Sequence, residues 1–175
     1  MDMIKKIAIT ASTMLFVLAQ IFSFYVILVS QQEKIEILKK QEERVFSRSI
    51  SGVLGDINKL DYGNSIPDYI MAYCFRNNMP ENSALYKDGE ELHNSSPFLF
   101  DTSRVKIEQG TPLMYQQEKI NGSYLLIFCS EEKKENDAGE RYSYLYFYVV
   151  DITYIYKESF NLAIRETLIS ILASM

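Results

Sequence analysis

The chain has 175 residues, which is room for one compact domain of ordinary size and a short additional segment. Its 18 Lys and Arg residues against 23 Asp and Glu give a net charge of -5, the wrong sign for holding a phosphate backbone. We therefore expect no nucleic-acid partner. The two cysteines, Cys74 and Cys129, have apolar neighbours, so we expect buried thiols rather than a disulfide.

A long uncharged segment lies near the N-terminus. Residues 7–30 contain no charged side chain, and Gln20 is their one strong polar interruption. As a helix, about 24 residues span roughly 36 Å, more than a hydrocarbon core of about 30 Å. The apolar region of a cleaved signal peptide is shorter than this, so the segment predicts an uncleaved transmembrane helix.

The orientation of this helix follows from what flanks it. Basic residues lie on both sides, so local charge alone does not decide the matter. Long segments cross a membrane largely regardless of their charge, whereas a very short tail stays inside. We therefore expect residues 1–6 in the cytoplasm, residues 7–30 in the plasma membrane and the globular domain outside the cytoplasm.

The next segment predicts a long amphipathic helix that continues out of the membrane. Residues 31–60 contain no proline, and their apolar side chains are spaced as on one side of a helix. These are Ile35, Leu38, Val45, Ile50, Val53, Ile57 and Leu60. Such a stripe either faces the core of its own domain or packs against a second copy, and the sequence leaves both open.

A shorter helix and two β-hairpins are predicted next. Ser65 with Pro67 predicts the start of a helix that reaches about Phe75, since a capping residue precedes an early proline. The hairpins pair residues 84–87 with 90–93 and residues 113–120 with 123–130. Their turns, Asp88-Gly89 and Asn121-Gly122, supply the positive φ angles that a two-residue turn requires.

The polarity of the chain changes twice in its last third. Residues 131–141 are almost wholly polar and predict an exposed loop. Residues 142–150 (YSYLYFYVV) are apolar on both faces, which is typical of a central strand. Asp151 is placed to cap a following helix over residues 152–166.

This last predicted helix has an apolar side made of Ile155, Tyr156, Phe160, Ala163 and Ile164. Residues 167–175 then lack charge, but about eight helical residues reach only roughly 12 Å. They predict the start of a truncated second transmembrane helix.

The side chains that catalysis requires are sparse. His93 is the only histidine, so a histidine-based triad or a histidine-rich metal site is not expected. The glycines do not form a phosphate-binding loop, and the paired carboxylates are adjacent in sequence, which points them in different directions. We expect no catalytic residue, metal or cofactor in this chain.

The order of these elements, together with three short stretches, carries a resemblance. Residues 86–90 (YKDGE), 120–127 (INGSYLLI) and 150–160 (VDITYIYKESF) resemble the extracytoplasmic sensor regions of Firmicutes-type two-component sensor histidine kinases. The resemblance implies an α+β domain over residues 31–166, with a PAS-like or Cache-like antiparallel sheet flanked by the long N-terminal helix. It also implies a homodimer, and a parent protein whose kinase region acts on a response regulator.

The resemblance implies a mechanism as well. A signal, either a small molecule or a neighbouring membrane protein, would shift the two membrane-connected helices relative to each other. The residues expected to relay this shift are Ile35, Leu38, Val45, Val53, Ile57, Ile155 and Phe160.

A ligand pocket is expected on the sheet, between the Asn121 hairpin and the short helix. The tyrosines expected to line it are Tyr69, Tyr73, Tyr86, Tyr115 and Tyr124. The alternative for these tyrosines is packing at the edge of the core, which is the commoner role of aromatic side chains.

Two other functions fit the same architecture. The chain could serve as the input domain of a chemoreceptor or of a cyclic-dinucleotide enzyme, which the sequence beyond Met175 would distinguish. It could also be a stand-alone, non-enzymatic membrane-anchored binding protein, with its C-terminal helix in the membrane interface.

Overall fold

The computed structural model describes residues 2–62, 65–98 and 113–174. Within these ranges the helices are α1 (Asp2–Lys59), α2 (Asp68–Asn78) and α3 (Thr153–Ser174). The strands are β1 (Ser83–Lys87), β2 (Glu90–Asn94), β3 (Met114–Ile120), β4 (Ser123–Glu135) and β5 (Arg141–Asp151). The chain is therefore α+β, with a long N-terminal helix, an antiparallel sheet and a C-terminal helix, as the sequence predicts.

The helix α1 is continuous through both of the helical segments predicted at residues 7–30 and 31–60. Among the described residues it is the one helix long and apolar enough to cross a membrane. Most of its large apolar side chains from Met3 to Val29 are exposed. A helix of a soluble protein's core would bury such side chains, so this part of α1 needs an apolar environment from elsewhere.

The chain forms two compact units. The first unit consists of Met1–Leu38 and Thr153–Met175, and the second consists of Lys39–Ile152. The first therefore contains the apolar part of α1 and all of α3, while the second contains the rest of α1, α2 and the sheet.

In the first unit, Lys34 of α1 forms an ion pair with Glu158 of α3, with Nζ 3.0 Å from Oε1. Ile35 on α1 and Ile155 on α3 are buried. Phe160 is exposed, as is its neighbour on the predicted apolar side, Ile164, so the buried side of α3 is narrower than that predicted side.

In the second unit, the five strands form one antiparallel sheet in the order β2-β1-β5-β4-β3. β5 lies in the middle, where Phe147 is paired with Ala84 of β1 and with Cys129 of β4. The predicted central strand is thus confirmed. Both predicted hairpins are also confirmed, because β1 pairs with β2 and β3 pairs with β4.

The prediction of an exposed loop over residues 131–141 is wrong for most of its length. β4 continues to Glu135 and β5 begins at Arg141, so residues 136–140 alone form the connection. Backbone hydrogen bonds between β4 and β5 extend both strands whatever the polarity of their side chains. The charged side chains of this extension form ion pairs on the surface. Arg141 and Glu135, for example, form an ion pair with Nε 3.1 Å from Oε2.

The start of α2 also differs from its prediction. The helix begins at Asp68 and ends at Asn78, and Pro67 is its N-cap without a capping side-chain hydrogen bond. Ser65, the predicted cap, lies outside the helix and donates a hydrogen bond of 3.0 Å to Asp137 Oδ2. A long-range partner has therefore replaced the local one.

The helices of the second unit cover one face of the sheet. Phe46 of α1 lies 5.9 Å from Tyr148 and 6.2 Å from Phe128, measured between ring centroids. Phe75 of α2 lies 6.2 Å from Tyr146 in the same sense. The part of α1 in the second unit therefore serves the core of its own domain, and Val53 and Ile57 are buried in it as well.

The opposite face of the sheet carries a second apolar cluster. Its buried members are Ala84, Tyr86, Leu125, Ile127, Cys129, Phe147 and Val149. Cys129 is a free thiol whose pKa is raised to about 12, mainly by burial. Cys74 of α2 is also free and buried, so the prediction of two core thiols is confirmed.

The remaining predicted relay and capping residues lie on the helices and on β5. Leu38 is half-buried and Val45 is exposed. Asp151 is the last residue of β5, and α3 begins at Thr153, two residues later. The capping role of Asp151 stays a prediction.

Candidate functional site

The helix α2 is fixed at both of its ends. At the start, Lys87 Nζ of β1 lies 2.7 Å from Asp68 Oδ1. At the end, Asn78 Nδ2 donates to Asp56 Oδ2 of α1 at 2.9 Å. A Cβ atom at Gly52 would lie 2.6 Å from Asn78 Oδ1, so glycine at this position lets α1 and α2 approach closely. These contacts fix which face of α2 points outward.

A groove of about 660 Å³ runs between this outer face of α2 and strand β2. Small-molecule sites usually have volumes of about 300–1,000 Å³. The lining residues are Tyr69, Ile70, Ala72, Tyr73, Arg76, Leu92 and His93. Tyr69, Tyr73 and Arg76 are spaced by four and three residues, which places them on one face of the helix.

Aromatic side chains dominate the outer wall of this groove. Tyr69 keeps 70% of its surface exposed and Tyr73 keeps 55%. The guanidinium carbon of Arg76 lies 5.9 Å from the centre of the Tyr73 ring, within the range of a cation–π contact. Solvent therefore reaches two rings and a cation on the same helical face.

The His93 ring packs against a buried side chain of the core. Its ring meets the edge of the buried Phe75 ring, with centroids 5.6 Å apart and planes at 62°. Phe75 in turn stacks on Tyr146 in the sheet. The structure thus gives His93 a defined ring position at the wall of the groove.

The described lining of the groove carries charge of one sign only. Arg76 is its one formally charged residue, and it contains no carboxylate. Within residues 2–62, 65–98 and 113–174, Arg76 forms no ion pair and its ring contact with Tyr73 is its only recorded interaction. An anion entering the groove would therefore meet a guanidinium that is not paired with a carboxylate of the described residues.

The five tyrosines expected to line one pocket are not brought together. Tyr69 and Tyr73 lie in the groove. Tyr86 belongs to the apolar cluster on the other face of the sheet, and Tyr115 and Tyr124 lie on β3 and β4, towards the opposite edge. The sheet order separates the Asn121 hairpin from α2, because α2 contacts the edge strand β2.

Each of the other three tyrosines has a partner within the second unit. For Tyr124 it is Lys119, whose Nζ lies 3.3 Å from the Tyr124 hydroxyl. The Tyr86 hydroxyl donates to Glu91 Oε2 at 3.2 Å, and burial raises the pKa of Tyr86 to about 12. The ring of Tyr115 carries Lys39 Nζ of α1 at 3.4 Å from its centre. These contacts are those of side chains that join elements of the domain.

The basic side chains of the groove, Arg76 and His93, were not among the site residues predicted from the sequence. Arg76 follows Tyr73 by three residues, so its position on the same helical face was available from spacing alone. The contribution of β2 was not, since it depends on how α2 packs against the sheet. That packing joins segments that are about 20 residues apart along the chain.

A second concavity of about 510 Å³ lies at the β4–β5 hairpin. Its lining residues are Asp88, Glu131, Lys133, Lys134, Glu135, Arg141, Tyr142 and Ser143. Its basic side chains are already paired with carboxylates, Lys133 with Glu131 at 3.3 Å, Lys134 with Glu132 at 3.2 Å and Arg141 with Glu135 at 3.1 Å. This surface offers an anionic ligand no cation that lacks an acidic partner, so the groove at α2 is the better candidate site.

A row of buried tyrosines on β5 lies beneath the helices. The Tyr146 hydroxyl donates to Glu132 Oε2 and the Tyr148 hydroxyl to Glu42 Oε2, both at 2.7 Å. The Tyr144 hydroxyl is buried and has no hydrogen-bond partner among the described residues. Burial is the main cause that raises the pKa of all three phenols, so they remain protonated donors.

This difference gives a stability prediction. Tyr144→Phe removes an unpaired buried hydroxyl, and we expect the free energy of unfolding to rise by up to about 1 kcal/mol. The matched variant Tyr146→Phe removes the donor to Glu132, and we expect a fall of about 1–3 kcal/mol. Urea unfolding of the full chain in detergent, followed by circular dichroism, measures both. Equal losses in the two variants would contradict the unpaired state of Tyr144.

Among the residues that the structure describes, no group of three or more His, Cys, Asp and Glu side chains is arranged to hold a metal ion.

Comparison of the chain with protein-family models, with curated proteins and with solved structures gives no match. Its function therefore has to be argued from its own architecture.

Proposed function

We propose that the chain is the transmembrane input module of a two-component sensor histidine kinase. Residues 31–166 are its extracytoplasmic PAS-like or Cache-like sensor domain, residues 7–30 its first transmembrane helix and residues 167–175 the start of the second. Phosphotransfer to a response regulator belongs to the parent protein. The observation that carries the proposal is that α3, which follows the last strand of the sheet, belongs to the same compact unit as the apolar segment of α1, which precedes the sheet.

The direction of α3 within that unit supports a return to the membrane. α3 belongs with Met1–Leu38 rather than with the later part of α1, and Glu158 pairs with Lys34. Residues after Glu158 therefore run back along the residues before Lys34. At 1.5 Å per residue in both helices, Leu168 comes level with Phe24, and both are exposed apolar side chains.

The sheet supports the finer assignment of the domain. Its order, β2-β1-β5-β4-β3, has the last strand in the middle and the two hairpins on either side. A PAS-like or Cache-like domain, which the resemblance implies, has a central antiparallel sheet flanked by the long N-terminal helix. The second unit has an antiparallel sheet that packs against α1 at Phe46.

The ion pair between α1 and α3 is weak enough to allow these two helices to shift relative to each other. The side chains of Lys34 and Glu158 are exposed by 48% and 62%. Exposed pairs contribute about 0–1 kcal/mol, so little free energy opposes exchange for another register. A signal that favours one position of the helices can then move the equilibrium by its difference in affinity for the two states. In the proposed dimer this movement would reach the kinase.

The topology is tested by cysteine labelling in intact cells. Ala138→Cys places a thiol at the exposed β4–β5 turn, and Lys5→Cys places one before the apolar segment. We expect a membrane-impermeant maleimide to label the first variant in intact cells and the second only after permeabilisation. Cys74 and Cys129 are buried and provide the unlabelled background in the unmodified chain.

Labelling of Lys5→Cys alone in intact cells would contradict the proposed orientation. The output is tested separately by the coding sequence that follows Met175. A histidine-bearing helix and ATP-binding segments in the same frame would support the kinase, whereas a different output domain or a stop codon would overturn it.

A further inference from the structure

We infer that the groove between α2 and β2 binds a small organic anion, namely a carboxylate with an aromatic or aliphatic body. Its role as a signal rests on the proposed function, whereas the binding itself does not. The groove holds Arg76, which forms no ion pair within the described residues, together with two exposed phenol rings and an imidazole packed on Phe75. These groups converge from two elements, α2 and β2.

The charge of the site selects an anion. The chain carries a net charge of -5, yet the described residues that line the groove include Arg76 and no carboxylate. The nearest acidic residue on the same helix, Asp68, is occupied by Lys87 at 2.7 Å. A guanidinium presents two parallel N–H donors that match the two oxygens of a carboxylate.

The guanidinium is also partly preorganised. Its contact with the Tyr73 ring at 5.9 Å restricts the side chain to the groove side of α2. A donor that is ordered before binding loses less conformational entropy when a ligand arrives.

The apolar part of the lining selects the body of the ligand. Tyr69 and Tyr73 expose most of their rings, and Ile70, Ala72 and Leu92 complete an apolar floor and wall. A bare inorganic anion would leave this surface in contact with water. A carboxylate attached to a ring or an alkyl chain fills it, at about 25 cal/mol for each Å² of apolar surface removed from water.

His93 adds a second polar contact opposite α2. Phe75 fixes the position of its ring, and no hydrogen bond within the described residues occupies its nitrogens. The imidazole can therefore donate an N–H to the ligand. A site with donors on two sides of an apolar cleft orients an anion, which a single surface arginine does not.

The volume favours a small molecule over a protein segment. About 660 Å³ lies within the range of small-molecule sites, and the described lining consists of seven residues, whereas each side of a stable protein interface contributes about 20–30 residues. The phenols and the single cation also suit one acidic group rather than an acidic peptide with several.

The inference is tested with 4-fluorophenylacetate as the probe and the full chain in detergent micelles. Fluorine NMR line broadening and shift give the dissociation constant, which we expect to be about 1 mM or tighter. The neutral control 2-(4-fluorophenyl)ethanol and the cationic control 2-(4-fluorophenyl)ethylamine have the same ring. We expect each control to bind at least about tenfold more weakly, a difference of about 1.4 kcal/mol.

Matched variants assign the binding to the groove. Arg76→Gln is expected to weaken the probe at least about tenfold and to abolish its advantage over the neutral control. Arg48→Gln removes an exposed arginine of α1 outside the groove and is expected to leave the affinity unchanged. Circular dichroism verifies that both variants stay folded, and Tyr73→Leu provides a second groove variant that retains Arg76.

Several outcomes would overturn the inference. They are saturable binding that Arg76→Gln leaves intact, equal binding of the neutral control, and no saturable binding of the probe up to about 10 mM. Displacement of the probe by inorganic phosphate at equal concentration would overturn the requirement for an organic body. If any of these results is obtained together with the expected cysteine labelling, the inference of an anion site is wrong and the proposal of an input module stands.

Discussion

Phe46→Ala is expected to lower the free energy of unfolding of the second unit by about 3–5 kcal/mol, the usual cost of deleting a buried phenylalanine ring. The Phe46 side chain is fully buried, and it contacts the rings of Phe128 and Tyr148 on the covered face of the sheet. Alanine would leave a cavity between α1 and the sheet. Domains of this size are stable by about 5–15 kcal/mol, so the variant loses a large fraction of the total.

The loss should extend beyond the ring itself. Glu42, one helical turn before Phe46, accepts the hydrogen bond of the Tyr148 hydroxyl at 2.7 Å. If α1 settles towards the cavity, this bond is strained as well. The same face of the helix buries Val53 and Ile57, so α1 loses its central contact with the sheet of the second unit.

Val45→Ala is the matched control, because it changes the adjacent residue of the same helix, which is exposed by 39%. We expect it to change the free energy of unfolding by less than about 0.5 kcal/mol. Chemical denaturation of the full chain in detergent, followed by circular dichroism, measures both variants, since the chain has no tryptophan for fluorescence. A loss below about 1 kcal/mol for Phe46→Ala would mean that α1 does not pack on the sheet as described.

The features that the sequence predicted correctly are those decided by local chemistry. Asn121 and Gly122 have φ angles of 50° and 89°, and Asp88 and Gly89 have 49° and 87°. These left-handed conformations suit Asn, Asp and Gly, which is why both turns were predictable from the dipeptides alone. The central strand β5 was predictable for a related reason, since its residues are apolar on both faces.

The features that the sequence missed are decided by long-range contacts. β4 continues through charged residues up to Glu135 because β5 supplies backbone partners for it. Ser65 bonds to Asp137, which is 72 residues away, rather than to the start of α2. Side-chain polarity and cap preference are weak local signals, and tertiary pairing overrides them.

The candidate site was predicted in part for the same reason. Tyr69 and Tyr73 were selected as aromatic residues of the short helix, and both lie in the groove. Tyr86 was selected for the same pocket, but it is paired with Leu145 on the face of the sheet that bears the second apolar cluster. A strand alternates its side chains between two faces, so placing Tyr86 required the face of β1 that α2 covers.

The part of α1 before the sheet domain gives the second large prediction. Leu15→Arg/Phe22→Arg places two charges two helical turns apart near the middle of the apolar segment. An arginine at the centre of a transmembrane helix costs about 3 kcal/mol, so the pair costs about 6 kcal/mol. We expect the protein to move from the alkali-resistant membrane fraction to the soluble or aggregated fraction.

A matched pair on the same helix separates the membrane from simple exposure. Leu15 and Phe22 are each exposed by 69% and Ile37 by 68%, so solvent access does not distinguish these three, while Val45 is exposed by 39%. Ile37→Arg/Val45→Arg is therefore expected to leave membrane attachment unchanged, because these residues lie beyond the predicted span. The intact mass of the membrane-bound protein should include residues 1–30. Loss of those residues would instead identify the segment as a cleaved signal sequence.

The two pairs together test why so much apolar surface remains uncovered on α1. If the segment were a core helix that lacks its partner protein, arginines at positions 15 and 22 would weaken that association but would not decide membrane attachment. If the segment spans the bilayer, lipid covers those side chains, and the cost of the two arginines follows from the desolvation of their charges. A double variant that remains in the alkali-resistant fraction at the level of its control would overturn the transmembrane assignment. That result would also overturn the premise that α3 returns to the same membrane.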